Sequence, residues 1–174
     1  MDALAGPYLA SAALLVVAGG AKLLDPLPLV RALRSVGLPA PQLLVRAVAA
    51  AELAVGLLAI GTGARWAAIG VALSYAGFTA FVLLALRRGG VLASCGCFGR
   101  ADTPPTRTHV AVTGALAAVA TAVAAQPLAG LGGLLAAQPG SGVPLLVATA
   151  AVAATAYLVL ALLPMLTARH RVRG

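Results

Sequence analysis

The residues of this sequence with the clearest chemical potential are two cysteines separated by one glycine, Cys95–Gly96–Cys97. They are the only cysteines in the chain. Residues two apart have Cα atoms roughly 5.5–7 Å apart, and a disulfide prefers about 4.4–6.8 Å, so a turn allows the bond. Gly96 and Gly99 favour such a turn. Because so small a ring is strained, and strained accessible disulfides exchange readily, the pattern predicts a reversible dithiol/disulfide rather than a structural cross-link.

Other interpretations of the cysteine pair stay open. Both side chains could be small buried groups without reactivity, since free cysteine is often simply buried. Two thiolates could also bind a soft metal ion, but they are too few for a four-ligand zinc site and would need further ligands. The neighbouring Arg87 and Arg88 favour reactivity, because positive charge lowers the pKa of a thiol and raises its thiolate fraction. We therefore place redox exchange first and predict no metal site.

The composition indicates a protein embedded in a membrane. Of 174 residues, 61% are hydrophobic and 9% are charged, whereas soluble domains contain about 25% charged residues. One helix needs about 20 apolar residues to cross a bilayer, so the chain allows about four or five crossings. The net charge of +8 and the aromatic content of 4% do not indicate a nucleic-acid-binding surface, because the basic residues lie in short clusters between apolar runs. Anionic membrane lipids are the expected partner of these clusters.

The apolar runs predict an all-α fold, a polytopic membrane helix bundle with five spans. A short helix at Leu29–Val36, with arginines on one side, is expected to lie in the headgroup region. Gly19 and Gly20, near the end of the first span, are expected to permit close helix contact. Leu128–Ala137 is too short to cross and predicts a surface or re-entrant hairpin. The five predicted spans are Ala3–Ala21, the run bracketed by Arg46 and Arg65, Trp66–Leu86, Thr108–Ala125 and Val143–Thr167.

The basic residues are distributed unevenly between the two ends of these spans. If the N-terminus lies outside, Arg65 alone falls on the outer face. The positive-inside rule then makes the other face cytoplasmic, which predicts a multi-pass cell-membrane protein with its C-terminus in the cytoplasm. This orientation places Cys95 and Cys97 on the side where thiols are normally reduced. The basic residues of the predicted cytoplasmic face are Lys22, Arg31, Arg34, Arg46, Arg87, Arg88, Arg100, Arg107, Arg169, Arg171 and Arg173.

Glu52 is the one acidic residue inside a predicted span. A carboxylate is costly in the bilayer, so Glu52 is expected to face the bundle interior and to find a partner there. Lys22, at the end of the first span, is the first candidate for this partner, and Tyr75 and His109 are the alternatives. Glu52 either accepts protons released when thiols are oxidised, or it makes a structural ion pair or hydrogen bond between helices.

Two further polar residues could support chemistry near the cysteines. His109, at the start of the fourth predicted span, is either a proton shuttle or an interfacial histidine bonded to backbone or lipid. Tyr75 could supply a hydroxyl group to the site or make a hydrogen bond between helices. The candidate catalytic residues are therefore Cys95 and Cys97, and the candidate supporting residues are Glu52, Lys22, His109, Tyr75, Arg87 and Arg88.

Three stretches of the sequence together resemble the MauE/DoxX group of redox-associated membrane proteins, most closely the MauE type of methylamine utilisation. They are the sequence CGCFG after the third span, Lys22–Leu23 at the end of the first span, and the run Glu52–Gly56 in the second. The resemblance covers about residues 4–125. It implies a DoxX-like four-helix core, to which the chain adds a fifth transmembrane helix.

The resemblance divides the chain into two parts. Residues 1–125 are expected to form the MauE/DoxX-like membrane domain. Residues 126–174 are expected to supply the apolar hairpin, the last span and a basic tail.

The resemblance also implies a function in disulfide chemistry. It implies help in maturing the disulfide-rich small subunit of methylamine dehydrogenase, with a thioredoxin-like partner, and Cys95 and Cys97 match the family's cysteine pair. The predicted function is therefore thiol–disulfide exchange with a thioredoxin-like or disulfide-containing protein. Two alternatives remain, a non-enzymatic membrane scaffold for such a partner and a small proton-coupled transporter with Glu52 as the coupling residue. The sequence contains no nucleotide, haem or quinone signature, and no cofactor is predicted.

Overall fold

A computed structural model of the protein describes residues 2–88 and 106–161. These residues form helices and connecting segments, and no strand occurs among them. This confirms the prediction of an all-α bundle. The α-helices are α1 (Ala5–Leu24), α2 (Leu27–Ser35), α3 (Gln42–Thr62), α4 (Arg65–Arg87), α5 (Arg107–Ala125), α6 (Leu131–Ala137) and α7 (Val143–Ala161), and short 3₁₀ helices cover Asp2–Leu4 and Pro139–Gly142.

Five of these helices are long and apolar enough to cross a membrane, namely α1, α3, α4, α5 and α7. They correspond one by one to the five predicted spans, which confirms a multi-pass membrane protein. Among the span ends that the structure describes, the start of the second span differs most from its prediction, because α3 begins at Gln42 and therefore includes Arg46 in its second turn. Pro41 precedes α3 in an extended conformation and sets this start. The predicted end of the fifth span, Thr167, lies outside the described residues.

The helix ends follow from local sequence. α3 ends at Thr62, and the C-cap residue Gly63 has a left-handed φ of 63°, which favours glycine. α2 is followed by Gly37, whose φ of 72° is of the same kind. α5 begins after Thr106, whose side chain accepts a hydrogen bond from the backbone N–H of His109.

The membrane helices α1, α3, α4 and α5 run in alternating directions, so chain ends and turns gather at two ends of the bundle. Gly19 of α1 lies beside Ala49 near the start of α3, which makes these two helices antiparallel. Arg65 at the start of α4 donates a hydrogen bond to the carbonyl oxygen of Ala125 at the end of α5. We call the end where α1 finishes, α3 begins, α4 finishes and α5 begins the basic end. The opposite end contains Arg65.

The contact between α1 and α3 is made backbone to backbone. A methyl group added at Gly19 would lie 2.8 Å from the carbonyl oxygen of Ala49, and one added at Gly56 would lie 2.9 Å from the carbonyl oxygen of Ala12. Gly20 has no atom within 4 Å of the corresponding position. The predicted close helix contact is therefore confirmed for Gly19 and wrong for Gly20.

The segment after α5 covers the Arg65 end of the bundle. In place of the predicted hairpin over Leu128–Ala137, an irregular stretch leads into the short helix α6. This stretch crosses the end of α3 so closely that a methyl group at Gly130 would clash with the carbonyl oxygen of Gly61. Leu134 of α6 is buried against Ala5 and other residues at the start of α1.

Helix α2 covers part of the basic end, in the position of the predicted short helix. Its buried residues are Pro28, Val30 and Ala32, while Arg31 and Arg34 are exposed. Arg88, just past the end of α4, donates a hydrogen bond to the carbonyl oxygen of Val36. This bond ties the end of α2 to the end of α4.

Candidate functional site at the basic end

The two candidate catalytic residues, Cys95 and Cys97, lie outside the described residues. The described chain stops at Arg88 and resumes at Thr106, and both of these residues belong to the basic end. Arg87 is exposed there, in the last turn of α4. Both ends of the connection that contains the cysteines are therefore attached at the basic end. This end holds most of the described basic residues.

The buried polar centre of the bundle is an ion pair between α1 and α3. Lys22 Nζ donates a hydrogen bond to Glu52 Oε2 at 2.6 Å, and the two side chains are 1% and 6% exposed. This confirms Lys22 as the partner predicted for Glu52. Glu52 is ten residues past the start of the 21-residue α3, about 15 Å along the helix at 1.5 Å per residue. The pair therefore lies near mid-helix, where an unpaired charge would be costly.

An aromatic pair on α4 packs against the ion pair. Lys22 Nζ lies 4.2 Å from the centroid of the Phe78 ring, a distance typical of a cation–π contact. Phe78 meets Tyr75 edge to face, with centroids 5.6 Å apart. The Tyr75 hydroxyl donates to the carbonyl oxygen of Ser11 at 2.8 Å, so it joins α4 to α1. Of the two interpretations of Tyr75, these contacts match the hydrogen bond between helices.

Phe78 was not among the residues singled out from the sequence. The signal that could have identified it is its position three residues after Tyr75, which places both rings on one face of α4.

His109 is buried in the first turn of α5 and is 3% exposed. Its Nδ1 lies 2.8 Å from Thr106 Oγ1, at the start of α5. With Tyr75 and Phe78 it lines a small internal cavity. The His109 ring is therefore held by the Thr106 side chain and by packing inside the bundle. Within residues 2–88 and 106–161, no group of three or more His, Cys, Asp or Glu side chains is placed to hold a metal ion.

A cavity of about 660 Å³ lies between α2, α3 and α4 and reaches the ion pair. Lys22, Glu52 and Ser74 supply its polar atoms, and the rest of its wall is apolar. No sequence pattern predicts this cavity, since it depends on how far two helices separate. Its apolar lining is formed by Leu29, Leu33, Leu38, Val48, Ala51, Val55, Leu73, Gly77, Phe78, Ala80, Phe81 and Leu84.

The sequence matches the family described as methylamine utilisation protein MauE over residues 3–127, which is more than two thirds of the chain. The chain belongs to the MauE family. It is a multi-pass membrane protein of a family associated with methylamine utilisation. In this MauE-family protein the match covers α1 to α5 and ends before α6 and α7. Comparisons with curated proteins and with solved structures found no match.

Proposed function

We propose that this MauE-family protein is an integral membrane thiol–disulfide exchange protein that assists disulfide formation or maturation in a partner protein. The observation that carries the proposal is the Cys95–Gly96–Cys97 pair in the polar connection between α4 and α5. Both ends of that connection belong to the basic end of the bundle. Positive charge there, including that of Arg87 and Arg88, favours the thiolate form that performs exchange.

The exchange transfers two electrons from the partner to this protein. A thiolate of the partner attacks one sulfur of the Cys95–Cys97 disulfide, that S–S bond breaks, and a mixed disulfide forms. The second partner thiolate then attacks the partner's own sulfur in the mixed disulfide. The partner dissociates with a disulfide. Cys95 and Cys97 remain as thiols, having taken up the two protons that the partner thiols lost. The same steps in reverse reduce a partner disulfide.

The proposed partners are a thioredoxin-like protein and a protein that receives disulfides. A thioredoxin-like disulfide would reoxidise Cys95 and Cys97 by the same exchange, so no other oxidant is required. The family association makes the disulfide-rich small subunit of methylamine dehydrogenase the first candidate for the maturing protein. We infer from the positive-inside rule that the exchange takes place at the cytoplasmic face.

We assign the Lys22–Glu52 pair a structural role in this function. Glu52 already accepts a hydrogen bond from Lys22, and both side chains are buried between α1 and α3. A carboxylate held in this way is a weaker candidate for the proton acceptor than a free one. The pair instead holds together the helices that support the basic end.

Mixed-disulfide trapping tests the proposal. Cys95→Ala and Cys97→Ala each leave one cysteine, which cannot form the internal disulfide but can still attack the disulfide of a partner, such as the thioredoxin-like protein. The variant that keeps the attacking thiolate should then retain that partner covalently, because the second cysteine that would resolve the mixed disulfide is missing. The measurement is a reductant-sensitive shift in mass of the full-length protein, followed by identification of the trapped chain.

The double variant Cys95→Ala/Cys97→Ala is the control and should trap nothing. Failure of both single variants to trap a partner would contradict the proposal. If cells that carry the double variant grew on methylamine as well as cells with the unmodified protein, the scaffold function would be favoured instead.

A further inference from the structure

The space between α3 and α4 is shaped as a binding site that thiol exchange does not use. The two helices touch where Gly70 of α4 faces Val55 of α3. From there toward the basic end, the 660 Å³ cavity separates their facing residues, and Leu29 and Leu33 of α2 line it as well. Sites for small molecules have volumes of about 300–1,000 Å³, so this cavity is large enough for one.

The polar part of the cavity wall is the ion pair. A lysine ammonium has three N–H donors, and Lys22 uses one of them for its hydrogen bond to Glu52. The ring of Phe78 covers another side of the ammonium. Because the Lys22 and Glu52 side chains are 1% and 6% exposed, only a small part of the pair is open to a ligand, and a single oxygen atom that accepts a hydrogen bond suits it.

Charge balance favours a neutral ligand. Lys22 and Glu52 neutralise each other, so a carboxylate bound beside them would add an uncompensated negative charge in a buried site. A carbonyl oxygen would accept a hydrogen bond without that penalty. Phe78 and Phe81 both line the cavity, and aromatic rings pack well against another planar ring.

The rim of the cavity offers a route for an apolar chain. Val48 of α3 and Leu73 of α4 line the cavity, and they are 47% and 67% exposed on the surface of the membrane helices. A ligand dissolved in the bilayer would therefore meet apolar side chains at the entrance. We propose that the cavity binds a neutral lipophilic molecule with carbonyl oxygens on a planar ring, the quinone class, with a carbonyl accepting from Lys22 and the tail leaving between α3 and α4. This binding does not depend on the proposed thiol exchange.

Two glycine substitutions give a matched test of the site. A methyl group added at Gly77, in the cavity wall, has no atom within 4 Å, so Gly77→Leu fills the cavity without a clash at its first carbon. Gly114 on α5 also has open space, but it does not line the cavity, so Gly114→Leu is the control. Ala51→Leu on the α3 wall is a second filling variant. Thermal unfolding of each variant verifies that it folds.

The experiment is isothermal titration of the full-length protein in lipid nanodiscs with decylubiquinone. We expect saturable binding that Gly77→Leu and Ala51→Leu weaken at least about tenfold and Gly114→Leu leaves within about twofold. The variant Lys22→Met/Glu52→Met removes the donor and keeps the site neutral, and it should weaken binding by about tenfold, as expected for one hydrogen bond to a charged group.

Two further probes separate this proposal from its competitors. Laurate carries a carboxylate, and decylbenzene has an apolar body without an oxygen acceptor. Equal or tighter binding of either probe would overturn the assignment to neutral carbonyl compounds. Equal affinity of Gly77→Leu and Gly114→Leu for decylubiquinone would show that the cavity is not where it binds.

Discussion

The two sides of α3 meet their neighbours in different ways. Toward α1, Gly19 and Gly56 let backbone and side-chain atoms approach so closely that an added methyl group would clash. Toward α4, α3 makes contact at Val55, and the cavity separates the two helices from there to the basic end. Glu52 lies at the border between these regions, because it pairs with Lys22 of α1 and also lines the cavity.

The difference shows how one helix can serve both stability and ligand access. In a bilayer, apolar side chains gain little by leaving lipid for protein, so helices associate where small residues allow close packing. The α1–α3 contact meets this condition. The region between α3 and α4 does not meet it. There the side chains leave the cavity, which ends at the Lys22–Glu52 pair.

Breaking the ion pair should have the largest effect on this arrangement. Glu52→Met leaves the Lys22 ammonium buried without its partner, which should lower the free energy of unfolding by about 3–5 kcal/mol. The double variant Lys22→Met/Glu52→Met removes both charges and should recover most of that loss. Unfolding in mixed detergent micelles measures both variants. A single variant as stable as the unmodified protein, or a double variant less stable than either single one, would contradict the contribution assigned to the pair.

Two adjacent glycines on α1 test its close contact with α3. The expected change in unfolding free energy is smaller than for the ion pair. Gly19→Ala places a methyl group 2.8 Å from the Ala49 carbonyl oxygen, whereas Gly20→Ala places one in open space. Overpacking should cost Gly19→Ala about 1–3 kcal/mol of unfolding free energy. Gly20→Ala should be neutral or gain up to about 1 kcal/mol from helix propensity. The same unfolding assay compares them, and equal stabilities would contradict the close packing of α1 on α3 at Gly19.

Sequence reasoning succeeded where one local pattern decides the outcome. Long apolar runs between prolines, glycines and arginines are sufficient to define the membrane helices, because a span must satisfy its own backbone groups. The pairing of Lys22 with Glu52 was predictable because a carboxylate within a span needs a partner, and Lys22 was the cation at the end of a neighbouring span.

The features that the sequence did not reveal depend on distances between helices. Gly19 and Gly20 are identical neighbours, and only the rotation of α1 against α3 separates their roles. The short helix α6 comes directly after Gly130, which crosses closely over Gly61 in a tertiary contact. Phe78 and the cavity likewise depend on how α4 packs against α1 and α3.

The proposed function is tested most directly by the redox state and sidedness of Cys95 and Cys97 in intact cells. The measurement is labelling by a membrane-impermeant maleimide, with and without prior reduction, in cells and in inverted membrane vesicles. The proposal predicts a Cys95–Cys97 disulfide that reacts only after reduction, is reached from the cytoplasmic face, and changes in amount when the trapped partner is deleted. Two sulfurs that stay fully reduced with or without that partner would contradict thiol–disulfide exchange.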